Sequence, residues 1–223
     1  MDPWKAACVD STNGLTTEEK RVFLNTQPED ILNHIARLDR ENRKSRKLRR
    51  SSTRLQPLLA KLEDYGKALD TIANSSPLVL PSLWGSLRLL LIAAYKYSDY
   101  FSKLLTMLEQ IADVLPRSSV YSQYLHYEPL QEKMQATYSA LVSFLTRARK
   151  FFTKSSTGLV LISLWKSFDK EFGTVVDEFR ELGREIDNDA SAAADLLLFQ
   201  EVQQGKVAKE GVVTDAEVVE TPE

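Results

Sequence analysis

The chain has 223 residues, 43% of them hydrophobic and 27% charged, with 8 Gly, 8 Pro, two histidines and one cysteine. That length is ample for one medium domain with a real core, and the composition excludes both wholesale disorder and a polytopic membrane protein. The formal charge of −2 hides an asymmetry: residues 37–54 hold nine Lys and Arg against Asp39 and Glu41, a net +7, so the rest of the chain carries −9.

Cys8 has no second cysteine to pair with, which removes a disulfide framework and any Cys-cluster metal site. The N-terminus, Met1-Asp2-Pro3-Trp4-Lys5, lacks the apolar stretch of a secretory signal. A cytoplasmic protein is therefore expected, with peripheral membrane or nuclear placement left open by the basic stripe. Leu78 to Tyr95 is the one stretch approaching a membrane span. It contains Pro81, Gly85 and Arg88, and a central Arg costs roughly 2.5–3.5 kcal/mol on insertion, so a buried helix is expected instead.

Residues 1–15 read as a loose leader. Thr16-Thr17-Glu18-Glu19 is a capping box opening a short helix, and Pro28-Glu29-Asp30 opens the next. Ile31, Leu32, Ile35 and Leu38 give that helix an apolar face, after which Leu48 is the one apolar residue between Asp39 and Arg54. This charged stretch is either a solvated helical extension or a connector. Helical spacing returns at Leu55, Leu58, Leu59, Leu62, Tyr65, Leu69 and Ile72, and Asn74-Ser75-Ser76-Pro77 ends it.

From Leu80 to Leu115 apolar residues recur at alternate spacings of three and four, through Leu87, Ala94, Phe101 and Leu108. This sustained coiled-coil-like repeat predicts one long central helix, roughly 50 Å from end to end. Pro116 stops it. Tyr121, Tyr124 and Tyr127 then follow at three-residue spacing, suiting a short helix or a 3₁₀ turn. A helix from near Pro129 carries Leu130, Met134, Tyr138, Leu141, Phe144, Leu145, Ala148 and Phe152, and ends at Ser155-Ser156-Thr157-Gly158. The next shows Ile162, Trp165, Phe168, Phe172, Val175, Phe179, Leu182 and Ile186, and either continues or bends near Asp187-Asn188-Asp189. Beyond Gly205 the chain is acidic and of low complexity.

These patterns predict an all-α fold, an elongated multi-helix bundle with one long central helix and no sheet. Its parts are a leader at 1–15, a bundle at 16–205 and a disordered acidic tail or linker at 206–223.

Little of this points to catalysis. The isolated glycines form no phosphate cradle, His34 and His126 lie in no triad-like context, and no Glu-x-x-His pair offers a di-metal site. Neither cofactor, metal nor small-molecule substrate is expected. The basic run Arg43, Lys44, Arg46, Lys47, Arg49 and Arg50 is the feature with a functional reading. Such a run can bind anionic lipid, nucleic acid or an import receptor, or it can simply pair with the acidic remainder. Aromatic side chains do not interleave with it, which argues against nucleic acid.

Leu83-Trp84-Gly85-Ser86-Leu87-Arg88, Leu115-Pro116-Arg117, Tyr121 and the later Leu164-Trp165 together resemble an uncharacterised helical domain at the N-terminus of fungal STAND proteins. In those proteins the domain precedes a NACHT module and ankyrin or WD repeats, as in NOD-like receptors. The resemblance implies a signalling or effector domain and carries over no catalytic residue. It makes Trp84, Gly85, Leu115, Pro116, Arg117, Tyr121 and Trp165 structural markers. The expected function is a non-enzymatic adaptor working by helix-mediated self-association or partner association. The alternative is a membrane-active, cell-death-type effector that reaches anionic lipid through the stripe at 43–50.

Overall fold

The computed structural model describes residues 8–9, 11–41, 51–72, 79–116, 121–154 and 161–216. No strand occurs among them, and the fold is all-α as the periodicities require. The helices are α1 (Thr17–Leu24), α2 (Pro28–Glu41), α3 (Ser51–Ile72), α4 (Val79–Tyr95), α5 (Ser98–Val114), α6 (Glu128–Lys154), α7 (Leu161–Phe172) and α8 (Val175–Ala216). A 3₁₀ turn at Ser122–Tyr124 joins the fifth to the sixth, so the tyrosine triplet takes the tighter of its two expected forms.

α4 is the centre. Twelve of its seventeen residues are buried, among them Leu83, Trp84, Leu87, Leu90 and Leu91, and a helix apolar on every side must be covered on every side. α6 packs along it most extensively, α1 covers a second flank, and α2, α3 and α5 complete the shell. Phe144, Phe151, Phe152, Phe168 and Phe172 then dock α7 on α6 through ring contacts of 5.3 to 6.1 Å. Edge-to-face packing predominates, as ring quadrupoles favour.

The long central helix expected from Leu80 to Leu115 is instead two helices, α4 and α5, parted at Lys96 and Tyr97. Tyr97 takes φ −111° and ψ 71°, outside the helical region. In an unbroken helix residues six apart point about 240° away from each other. Here the rings of Tyr95 and Phe101 meet edge-on at 5.2 Å, which only a bend allows. The repeat runs through the bend unchanged because both helices bury the same phase of residues in one core.

A second helix expected as continuous also divides. Gly173 ends α7, its N–H reaching the Asp169 carbonyl at 2.7 Å, and a Cβ there would lie 2.5 Å from that same oxygen. α8 does not bend at Asp187–Asp189. It runs on past Gly205 to Ala216, into the stretch expected to form a tail. Residues 217–223 lie outside the described residues.

The leader is not loose where it is described. Cys8, Ser11 and Leu15 are buried. Thr16 caps α1 in the expected capping box: Glu19 N–H donates to Thr16 Oγ1 at 3.2 Å, and Thr16 N–H donates to Glu19 Oε2 at 2.8 Å.

Candidate interaction site

The basic run Arg43, Lys44, Arg46, Lys47, Arg49 and Arg50 falls on residues 42–50, outside the described residues. Of its described flanks, Arg54 engages another helix, whereas Arg37 pairs within its own. Arg54 forks onto Glu109, Nε to Oε1 at 2.9 Å and Nη2 to Oε2 at 2.5 Å, and also reaches Thr106 Oγ1 at 2.8 Å. The hydrogen bond to Glu109 holds its guanidinium still higher than usual in basicity. Arg37 lies 3.8 Å from Glu41.

The motif residues separate into two places. Trp84 is buried in the core, and Gly85 sits where α1 crosses: a Cβ would lie 2.4 Å from the Phe23 carbonyl oxygen and 2.7 Å from its ring. Gly85 thus allows the close helix approach that its place beside Trp84 suggests. Leu115 and Pro116 are buried at the end of α5, and Arg117 lies outside the described residues. Tyr121 packs on the core and donates its hydroxyl to Asp187 Oδ1 on α8. Trp165 falls on α7, its side chain outside the described residues.

Leu115, Tyr121, Gly183, Arg184 and Asp187 meet around a cleft of about 560 Å³ between the end of α5 and α8. Gly183 lets the two helices close here, for a Cβ would stand 2.9 Å from the Val114 carbonyl oxygen. Arg180 and Arg184 on its rim are tied to Asp177 and Glu181 of their own helix. Among the described residues no cluster of His, Cys, Asp and Glu is arranged to hold a metal ion. No described helix is long and apolar enough to cross a membrane.

Two buried polar groupings were not foreseen. Arg149, placed in the basic last turns of α6, is 6% exposed and donates to Glu19 Oε1 at 3.2 Å, so the capping glutamate also neutralises a buried guanidinium. Near the other end of α6, Ser82 Oγ donates to Cys8 Sγ at 2.8 Å, while Tyr138 donates to the Val79 carbonyl at 3.0 Å. Burial pushes the Tyr138 phenol well above the usual tyrosine range. Each link spans 59 or more residues of sequence, and local pattern carries no signal for it.

The remaining surface feature lies on α8. Among the described side chains of α8, Ala193 is the last that is buried, and every one from Asp195 to Gln203 is exposed. Leu196, Leu197, Leu198, Phe199 and Val202 occur in this projecting half, with Leu198 at 61% and Phe199 at 62% exposure.

The fold and these surfaces define an all-α helical domain whose distinctive features are helix faces. Residues 53–198 match the family described as a domain of unknown function (DUF7708), and the chain belongs to that family. No curated protein and no solved structure matches the chain.

Proposed function

We propose that this protein is a non-enzymatic helical association domain, a signalling or adaptor module that pairs through the projecting half of α8. One observation carries the reading: Leu196, Leu197, Leu198, Phe199 and Val202 surround the helix and stay in water. A helix apolar all round is ordinarily a buried helix. Five such side chains expose on the order of 400–500 Å², a size at which apolar patches are functional. Pairing one face of that half with a second copy covers part of this area on each side, in the size range of a weak or transient interface. The resemblance to the N-terminal domain of fungal STAND receptors supports the same role, since it implies a signalling or effector domain and carries over no catalytic residue.

Light scattering across a concentration series tests this. The mass rises above that of the monomer for the native chain and stays monomeric for Leu198→Asp with Phe199→Asp. A native chain that is monomeric at the highest concentration, or association unaffected by both substitutions, overturns it.

A second reading rests on the +7 charge of residues 37–54: an effector that reaches anionic lipid through the stripe at 43–50. Each basic residue near such a surface adds about 1 kcal/mol. Co-sedimentation with phosphatidylserine vesicles over a salt series then shows binding at low salt that is lost on replacing Arg46, Lys47, Arg49 and Arg50 by Gln. Absence of binding even at low salt removes this reading.

A further inference from the structure

We propose that Arg88, Arg37 and His34 form a binding site for a phosphate group where α2 packs against α4. Arg88 is the one charged residue of α4. Two other arginines lie against the bundle, and each has a carboxylate: Arg54 forks onto Glu109, and Arg149 donates to Glu19.

Arg88 has no carboxylate partner among the described residues. Its Nη1 donates to Thr26 Oγ1 at 3.3 Å, and its Nε is buried without a hydrogen-bond partner. The Thr26 hydroxyl in turn donates to the Val22 carbonyl at 2.5 Å, so it brings no charge to the guanidinium. A guanidinium presents five N–H donors in a planar fork, and covering one without an acceptor costs free energy. Arg88 is half-buried rather than enclosed, so an acceptor can approach the fork from solvent.

The neighbouring helix adds charge of the same sign. On α2, Arg37 Nη2 stands 3.5 Å from His34 Nδ1. Burial, then the charges of Arg37 and Arg88, hold the His34 imidazole below the usual histidine range, and Glu41 opposes them. Glu41 lies 3.8 Å from Arg37 Nε with both side chains mostly exposed, so it offsets that cation only weakly. Two fixed cations and one proton acceptor thus converge with little to balance them. A phosphate group carries about −1.5 to −2 charge and three acceptor oxygens. It can accept from both guanidinium groups at once, and its charge then draws a proton onto His34. A planar carboxylate matches a single guanidinium fork, not donors that converge from two helices.

The chain has two histidines, so their imidazole protons give two NMR signals, and His126 serves as the internal control. Inorganic phosphate is titrated into the full-length native protein at constant ionic strength, with chloride as the balancing ion. The His34 signal then shifts saturably and its titration midpoint rises, while the His126 signal stays in place. Arg88→Gln lowers the affinity about tenfold with helical circular dichroism intact, and Arg37→Gln, at an exposed position, lowers it roughly threefold. Replacing Arg46, Lys47, Arg49 and Arg50 by Gln leaves the response unchanged, which separates this site from the stripe. Co-sedimentation with phosphatidic acid vesicles that Arg88→Gln abolishes assigns the phosphate to a lipid headgroup. A response to inorganic phosphate without such co-sedimentation assigns it to a soluble ligand. No shift of His34 in the native protein at tens of millimolar phosphate overturns the proposal, and that measurement stands even if the Arg88 variant fails to fold. Equal shifts at both histidines, or a His34 shift that survives both substitutions, reduce the effect to general screening and overturn it too. An equal response to acetate overturns phosphate as the ligand.

Discussion

α4 and the projecting half of α8 are both helices with leucine on every side, yet one is the most enclosed element and the other stands in water. Leu83, Leu87, Leu90 and Leu91 are almost fully covered by five neighbouring helices. Leu196, Leu197 and Leu198 are 50%, 42% and 61% exposed, and no described side chain of α8 beyond Ala193 is buried. At 1.5 Å per residue the stretch from Ala193 to Gln203, the last residue whose exposure is described, is about 15 Å long. Identical side chains are therefore buried in one place and exposed in the other. What differs is the neighbourhood, which no local window of sequence contains.

The sharpest way to break this comparison is to make one substitution in both places. Leu90→Ala opens a cavity in the core and lowers the unfolding free energy by about 2–5 kcal/mol, measured by urea denaturation. Leu198→Ala at low protein concentration stays within about 0.5 kcal/mol of the native chain. Equal losses at both sites would mean that the projecting half is covered in the folded monomer.

Gly183 tests the packed half of α8 against the rule for exposed helices. On an open helix Gly→Ala gains about 0.8–1 kcal/mol from propensity. At Gly183 the new methyl meets the Val114 carbonyl at 2.9 Å, and the backbone of α5 cannot swing aside as a side chain can. Gly183→Ala is expected to cost about 1–3 kcal/mol as overpacking outweighs propensity, and a rise in melting temperature would refute that close approach.

How much of this was legible beforehand follows from the same distinction. Helix-forming stretches show through apolar spacing, and the capping box at Thr16–Glu19 and the stop at Pro116 rest on neighbouring residues. The bend at Lys96 and Tyr97 was hidden because the repeat keeps its phase across it. The burial of Cys8 has no local signal either, because Ser82 and Tyr138, which it meets, lie far away in sequence. Nothing near Arg149 in the sequence marks it as buried, since its partner Glu19 is 130 residues distant. Polar pairs between helices carry no period, so only the folded chain reveals them.

Smaller effects belong to half-exposed polar groups. Arg54 ties the start of α3 to α5 through its fork onto Glu109 and its bonds to Ser102 and Thr106. Lysine keeps the charge but not the planar fork. Arg54→Lys is expected to cost roughly 0.5–1 kcal/mol, with part of the loss masked at high salt because the pair is partly solvated. A loss independent of salt would show that packing of the side-chain stem, rather than the ion pair, holds these helices together.

The smallest effect is one of pH. His34 on α2 is held below the usual histidine range by burial first, then by the nearby charges of Arg37 and Arg88, while Glu41 opposes them. The folded state therefore prefers the neutral imidazole, and the unfolded chain binds the proton more readily. Stability from this site is fully present above the unfolded value of about 6.5 and declines as pH falls below it toward the lower folded value. Acidification adds a cation beside two arginines. His34→Gln should flatten the fall in melting temperature between pH 7 and pH 5 without changing the value at neutral pH appreciably. A native chain whose stability rises as pH drops through that interval would reverse the sign of the argument, and would place a carboxylate, Glu41, in control of the imidazole instead.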